Sequence, residues 1–387
     1  MIPIKRIPDL QKINLNKGNK IRTIYVPKDL EKERYTLVKN ELEEKYSLTP
    51  NNRDNSIKQI ISVLSQGSNE FIPDLELMII RTDISNFFPS VNKHLLYKKI
   101  MRNHYLSLNS VNTLKEFIFN NHIEGLPQGI PFSSILSEFY LHDFDSDLVN
   151  VFAPYLYQRY VDDILLIKII SKYDTPIKEI QVNDAIDNIA DKYDLLINTD
   201  KTEVVFFRGK NRKSFDFNYL GYRFKSFKKD SKFKLDISIS ESKLHKIWDN
   251  IYKVFQLYKD SSKTKVDYWK LYYKLINYIY GVTSINDKNK ILKFGLGFSY
   301  RYINNEEQLK VLLDRINYEI YKCDLSSNEN YSLHQLTSYR YSPTEILSKR
   351  FNYMRLTRKQ LNKMHRRINS PHNRNRLESF FYYLYKD

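Results

Sequence analysis

The sequence holds one cysteine, Cys323, in 387 residues. A lone thiol excludes an intrachain disulfide and a cysteine-rich zinc site, and it fits a reducing cytoplasm. Glycine and proline are scarce too, at nine and twelve residues, which argues against a loop-dominated or disordered chain. No stretch approaches the roughly 18 apolar residues of a membrane span. The opening Met1-Ile2-Pro3-Ile4-Lys5-Arg6 has no signal-like apolar run. The expectation is a soluble, cytoplasmic protein with no membrane partner. The eight histidines are scattered, and neither a His-Glu-x-x-His pattern nor a Gly-x-x-x-x-Gly-Lys-Ser/Thr loop occurs, which argues against zincins and P-loop ATPases. Acids are the remaining shortage. Against 62 Lys and Arg stand 45 Asp and Glu, a net charge of +17 and a pI near 9.4. Such a balance points to a polyanion partner.

What the chain does have is a hydrophobic content of 42% and an aromatic content of 14%, with 31 Tyr, enough for a sizeable core. The length suggests about two structural units. The basic excess is uneven. Residues 241–387 carry 27 Lys and Arg against 14 Asp and Glu, and from Arg340 to Arg376 eleven basic residues face one acid, Glu345. An AT-rich coding bias would raise Lys, yet most of these eleven are Arg. Tyr339, Tyr341, Phe351 and Tyr353 interleave with them. Arg contacts phosphate, while aromatic and guanidinium planes stack unpaired bases. A nucleic-acid surface is therefore expected there, with Arg355, Arg358, Arg366, Arg367 and Arg374 as its contacts.

Patterning places these residues on elements. Ile21-Arg22-Thr23-Ile24-Tyr25-Val26-Pro27 alternates as a strand does, and residues 29–66 read as amphipathic helix interrupted near Pro50. Residues 75–83 read as a buried strand ending in an acid, and 91–119 as two helices. Gly125-Leu126-Pro127-Gln128-Gly129 reads as a loop, and 133–148 as a helix with Ile135, Leu136, Phe139 and Tyr140 inward. Residues 156–170 read as a hairpin turning at Asp162-Asp163, followed by a helix over about 176–193 and short strands near 203–207 and 218–224. This predicts an α+β layer with helices on one face of an antiparallel sheet. Beyond about residue 240 the strand signals fade: 241–281 and 305–322 have helical spacing, and 343–368 reads as a basic helix pair. The expected division is 1–240 and a mainly α-helical 241–387. Residues 241–330 carry no chemistry that the sequence makes recognisable.

The acids carry the chemistry. Tyr160-Val161-Asp162-Asp163 sets two carboxylates between apolar strand segments. A turn is an ordinary home for Asp, but a two-residue Asp-Asp turn lacks the Gly that tight hairpins prefer. Asp83 ends a strongly apolar strand, where a carboxylate is costly without a compensating partner. If the two strands are neighbours, the three acids converge at one end of the sheet. Convergent carboxylates select hard divalent cations such as Mg²⁺. Two such ions, about 3.5–4 Å apart, suit phosphoryl transfer by positioning and charge neutralisation.

The surrounding residues resemble the reverse transcriptase family. Arg81-Thr82-Asp83-Ile84-Ser85-Asn86-Phe87-Phe88 resembles its motif A. Gly125-Leu126-Pro127-Gln128-Gly129-Ile130-Pro131-Phe132-Ser133-Ser134 resembles motif B, and Tyr160-Val161-Asp162-Asp163 resembles motif C. Lys201-Thr202-Glu203 is similar to motif D, and Asn218-Tyr219-Leu220-Gly221-Tyr222 to the motif E primer grip. Any one is weak; five in order, with 79 residues from Asp83 to Asp162, are specific. The resemblance covers about residues 15–225. It implies a right-hand polymerase fold, with fingers and palm followed by a helical thumb. It implies RNA-directed DNA polymerase activity with two Mg²⁺ ions, replaceable by Mn²⁺, held by Asp83, Asp162, Asp163 and the Ile84 carbonyl. It further implies that Phe88, beside Phe87, is a steric gate against a 2′-hydroxyl, and that Gln128 and Gly129 lie against the incoming nucleotide. Lys201 would be the proton donor to pyrophosphate, and Lys20 and Arg22 would grip the triphosphate. The implied partners are an RNA template or structured RNA, the DNA product and dNTPs, with an oligomer or partner protein left open.

Within the family, residues 133–145 resemble bacterial retron and group II intron enzymes. The retron signatures Asn-Ala-x-x-His and Val-Thr-Gly are missing; Gly281-Val282-Thr283-Ser284 departs from the second. The remaining similar group is the defence-associated and abortive-infection reverse transcriptases, which implies antiphage defence with a non-coding RNA. Template-independent synthesis and priming from a protein hydroxyl occur in that group. Four alternatives stay open: a retron- or group II intron-like enzyme, a template-independent DNA polymerase, a catalytically silent RNA-binding scaffold, and an RNA-directed RNA polymerase. Intact acids count against the scaffold, and Phe88 counts against the RNA polymerase.

Overall fold

β1 (Leu10–Lys17) and β2 (Lys20–Pro27) form an antiparallel hairpin at the start of the computed structural model, in register from Leu10 opposite Pro27 to Lys17 opposite Lys20. The structure describes residues 10–17, 20–48, 52–67, 71–103, 105–171, 173–174, 178–208, 214–230, 232–286, 290–370 and 377–386. By contact density the chain divides into two units, one of residues 1–220 and 226–234 and the other of 221–225 and 235–387.

The first unit continues through helices α1 (Asp29–Tyr46) and α2 (Arg53–Ser65). The interruption expected near Pro50 lies outside the described residues. Next come β3 (Phe71–Ile72), β4 (Leu77–Asp83), a single turn α3 (Phe87–Ser90), α4 (Lys93–Asn103), α5 (Leu108–Ile118) and α6 (Ser133–Phe152). The hairpin β5 (Leu156–Tyr160) and β6 (Asp163–Ile169) follows, then α7 (Glu179–Asp191), β7 (Glu203–Phe207) and β8 (Asp216–Tyr219); β9 (Tyr222–Lys229) and β10 (Lys232–Ile239) are each divided between the two units.

The central sheet has the order β5-β6-β4-β7, all neighbours antiparallel. Successive side chains alternate between its faces. Met78 and Ile80 of β4, with Ile164 and Leu166 of β6, join a core that also holds Tyr35, Leu96, Leu114, Ile135, Phe139 and Ile186 from the flanking helices. Ile79, Leu165 and Ile167, on the other face, are buried too. Burial on both sides explains why β4 reads as an apolar run rather than an alternation. Each such side chain contributes about 1.5–3 kcal/mol, enough to hold a strand that ends on an acid. The predicted inward residues of α6, namely Ile135, Leu136, Phe139 and Tyr140, are all buried.

The second unit, which takes in residues 222–225 of β9 and 235–239 of β10, goes on with α8 (Glu241–Lys259) and α9 (Lys265–Ile279), the latter opened by a Thr264–Asp267 capping box. β11 (Gly281–Ile285) and β12 (Ile291–Phe294) come next, then α10 (Leu296–Ser299), α11 (Glu306–Tyr321), α12 (Ser327–Thr337), β13 (Arg350–Asn352), α13 (Arg358–Arg367) and α14 (Leu377–Tyr385).

Two expectations change here. The fading strand signals hid a three-stranded sheet of order β12-β11-β13, in which β13 pairs with β11 in parallel. The partners are about 70 residues apart in sequence (Gly281 opposite Arg350), so no local pattern reports the pairing. Residues 343–368 are not a helix pair. Pro343 opens a 3₁₀ turn over Pro343–Ser348, the chain is drawn into β13, a second 3₁₀ turn spans Tyr353–Arg355, and only α13 is α-helical. Thr357 restarts the helix through a capping box with Gln360.

Among the described residues no helix is long and apolar enough to cross a membrane.

Candidate active site

β4 and β6 are neighbours in register, with Asp83 directly opposite Asp163. The convergence that the sequence required is therefore built by the central pairing of the sheet. The hairpin turn falls one residue earlier than expected: its loop is Val161-Asp162, and Asp163 already belongs to β6. Val161 takes φ 61, in the left-handed region. A β-branched residue there is a true outlier, and such strain costs on the order of 1–3 kcal/mol. The Ile84 N–H donates to the Asp162 carbonyl at 3.2 Å. On the other side, the Ser85 N–H donates to the Leu196 carbonyl at 2.7 Å and the Asn198 N–H to the Asp83 carbonyl at 2.8 Å. The backbone of Ile84 is thereby turned toward β6, and in strand geometry its carbonyl lies on that same side.

Electrostatics at this end are repulsive. Asp83 is buried, while Asp162 and Asp163 are half-buried. Burial, reinforced by the charge of Asp83, raises Asp162 above the ordinary carboxylate range. Burial also pushes Asp163 up to about 6; Arg81 opposes the shift, and Asp162 and Asp83 add to it. Arg81 stands 3.8 Å from Asp163 and also 3.8 Å from Glu203. The Lys201 Nζ donates to Asp83 Oδ2 at 2.6 Å, and Asn198 Nδ2 to the same oxygen at 3.4 Å. Among the described residues, no three His, Cys, Asp or Glu side chains already stand at metal-binding spacing. The donor set nonetheless fits a hard divalent cation: three acids share one strand end, two of them disfavoured as anions, and an ammonium neutralises the third.

The loops around the acids lock onto one another. The Leu126 N–H donates to the Phe88 carbonyl at 2.8 Å, and the Tyr25 N–H to the Gln128 carbonyl at 2.8 Å. Gly125, at φ 51, leaves no room for a side chain: a Cβ would stand 2.1 Å from the Phe88 carbonyl oxygen. At Gly129, at φ 93, a Cβ would stand 2.5 Å from the Tyr25 carbonyl oxygen. Phe87 is buried, whereas Phe88 is half-buried, with its ring 5.4 Å from that of Phe87. β8 and β9 are joined at Leu220-Gly221, both with positive φ, as a type I′ turn requires. Arg53 donates to the Leu220 carbonyl through Nε at 3.1 Å and Nη2 at 2.8 Å. Tyr219 and Tyr222 are buried.

The family described as reverse transcriptase (RNA-dependent DNA polymerase) matches residues 15–224, more than half of the chain. The chain belongs to the reverse transcriptase family. The family is described by its RNA-dependent DNA polymerase members, and the antiparallel sheets backed by helices in this chain are a mixed α+β fold. Comparison with curated proteins found no match. Among solved structures, telomerase from Candida albicans in complex with a TWJ fragment of telomeric RNA is similar with 16% identity and a TM-score of 0.43, over 100% of this chain and 66% of that one. Apo telomerase from Candida tropicalis is similar with 12% identity and a TM-score of 0.47, over 97% of this chain and 62% of that one. This chain thus spans less than two thirds of those telomerase chains.

In this reverse transcriptase, Lys20 opens β2 and Arg22 is exposed on it, with its charge felt at Asp162. Arg355, Arg358 and Arg366 are exposed on and just before α13. Arg367 is half-buried: its guanidinium lies 3.4 Å from the Trp269 ring centre and donates to the Tyr273 hydroxyl at 2.9 Å. Arg374 lies outside the described residues. Sequence reasoning passed over Asn198, which touches Asp83, and Arg159, whose side chain is 4% exposed against Glu138 and Asp145. The available signal for Arg159 was a cation in a short strand otherwise made of Leu, Gln and two Tyr, shortly before the paired acids.

Proposed function

We propose that the chain extends a primer 3′-hydroxyl with dNTPs on an RNA template, using two divalent ions at Asp83, Asp162 and Asp163. The observation that carries this reading is the register pairing of Asp83 with Asp163, with Asp162 on the adjoining turn and fastened to Ile84. Ions held by these three carboxylates and the Ile84 carbonyl, Mg²⁺ or in its place Mn²⁺, would activate the hydroxyl and neutralise the leaving pyrophosphate. The chain's own residues do the rest. Lys201, already at Asp83, supplies a proton to the departing group. Phe88, half-exposed beside the site, excludes a 2′-hydroxyl. Gln128, fixed through its carbonyl to Tyr25, lies against the incoming nucleotide, and Arg22 adds positive charge for its phosphates. The exposed arginines of α13 hold RNA and product.

The biological reading is antiphage defence in the cytoplasm with a non-coding RNA. It is supported by the resemblance of the motif set to defence-associated enzymes and by the missing retron signatures.

Incorporation of labelled dNTPs by purified protein that retains its RNA tests the chemistry. Wild type should give metal-dependent DNA, and Asp162→Asn with Asp163→Asn should lower it at least about 10⁴-fold, as loss of an electrostatic site does. Mg²⁺ should raise the melting temperature of wild type and leave that variant unmoved, because the cation relieves the repulsion among the acids. RNA bound without product or thermal shift would sink the polymerase reading in favour of a scaffold. Phage plating on cells carrying the two forms tests the defence role; equal plating removes it.

A further inference from the structure

We propose that Arg159, gripped by Glu138 and Asp145, is a positioning residue that fixes the backbone of the catalytic hairpin and hence the placement of Asp162 and Asp163 against Asp83. The proposal rests on the polymerase reading above.

Three consecutive carbonyls run around the hairpin, and each accepts a hydrogen bond from a different place in the fold. Arg159 Nη1 donates to the Val161 carbonyl at 3.2 Å. The Ile84 N–H, just past β4, donates to the Asp162 carbonyl at 3.2 Å. The hydroxyl of Tyr219, at the end of β8, donates to the Asp163 carbonyl at 3.4 Å. The residue under Arg159 is the one in a conformation that its side chain resists, Val161 at φ 61. A strained turn persists only where its surroundings over-determine it, and three independent donors do so here.

Arg159 is itself fixed from α6. Its Nη2 donates to Glu138 Oε2 at 2.6 Å and to Asp145 Oδ2 at 2.7 Å. Its Nε donates to Asp145 Oδ1 at 2.8 Å, and Nη1 also reaches Glu138 Oε1 at 3.2 Å. Glu138 and Asp145 stand seven residues apart, two turns along one face of α6. The Tyr157 hydroxyl donates to Asp145 as well. α6 starts at Ser133, after three intervening residues from the loop of Gly125 to Gly129, and its Ser133 hydroxyl donates back to the Pro127 carbonyl at 2.6 Å. The loop expected against the nucleotide and the hairpin that carries the acids are thus joined through one helix and one guanidinium. Only a planar fork meets two carboxylates and a carbonyl at once; a Lys ammonium at the end of a flexible stem does not reproduce that geometry.

A merely structural ion triad would secure β5 to α6 without affecting the turn, and the two roles separate experimentally. Arg159→Lys is measured for kcat and dNTP KM on a fixed primer-template, and for hydrogen exchange at the Ile84 amide, which reports the bond to Asp162. The expected result is a kcat lower by about ten- to hundred-fold, as for a misplaced reacting group. The dNTP KM should stay within about threefold, because ground-state binding is untouched. The Ile84 amide should exchange faster. Tyr219→Phe, which removes one hydroxyl and leaves the triad intact, should produce the same exchange change with a smaller fall in kcat, about two- to ten-fold. Should Arg159→Lys not fold, the combination Glu138→Gln, Asp145→Asn and Arg159→Met leaves no unpaired buried charge and should reproduce the loss. Unchanged kcat, or a loss without faster exchange at Ile84, overturns the proposal. A wild type that makes no DNA would refute the polymerase reading, while the exchange measurement would still decide the positioning.

Discussion

Asp83 is a carboxylate whose partners do different things. Its carbonyl is tied to Asn198, its Oδ2 takes the Lys201 ammonium, and its side chain faces two further acids across a strand pairing. An apolar strand of buried Ile and Met pins the residue, so its position is set by hydrophobic burial and its chemistry by what converges on it. Phe88 shows the same division. Its carbonyl is held by Leu126 and its ring lies against Phe87, which leaves the ring half-buried. Phe88→Ala should therefore lower discrimination between dNTPs and NTPs by at least about tenfold with DNA synthesis retained. A competition assay in which the ratio does not move would remove the steric-gate role.

Among the elements, the glycine-bearing loop before α6 and the basic helix make separate claims. Gly125 is required by space as well as by φ. In Gly125→Ala the added methyl meets backbone, which cannot swing away as a side chain can. The expected cost is about 2–4 kcal/mol, combining positive-φ strain with the clash, visible as a lower urea midpoint; an unchanged midpoint would mean that the loop relaxes freely. α13 puts Arg358, Lys359, Lys363 and Arg366 into solvent while Met364 and His365 are buried. Arg366→Ala should weaken RNA binding and reduce the slope of log K against log salt by about 1, one phosphate contact. Arg367→Ala should act otherwise, because its guanidinium is stacked on Trp269 and bonded to Tyr273. About 1–2 kcal/mol of stability should go with it, read as a lower melting temperature. Equal effects of the two substitutions on RNA affinity alone would contradict this division.

For the whole molecule, the net charge is +17 and most of the basic excess lies after residue 240, while the fold of the first unit gathers three acids at one end of its central sheet. The acids, their order and spacing, the glycine-marked loop, the apolar strands and the long helices of the first unit were legible in the chain of residues, because each is a local pattern or a motif that a contiguous segment spells out. The sequence also foretold that Asp83 and Asp162 would meet if their strands were neighbours. That they are neighbours, and that the turn lies at Val161-Asp162, came from the folded arrangement alone. That arrangement also decided that Arg159 reaches from β5 to both α6 and that turn, and that Arg367 is packed inside while Arg366 faces out. The parallel pairing of β13 on β11 was settled there too, as was the breaking of the basic tail into turns and one helix. These all depend on partners distant in the chain, whose contacts are formed by burial and closure of the whole fold, and no periodicity within a short window records them.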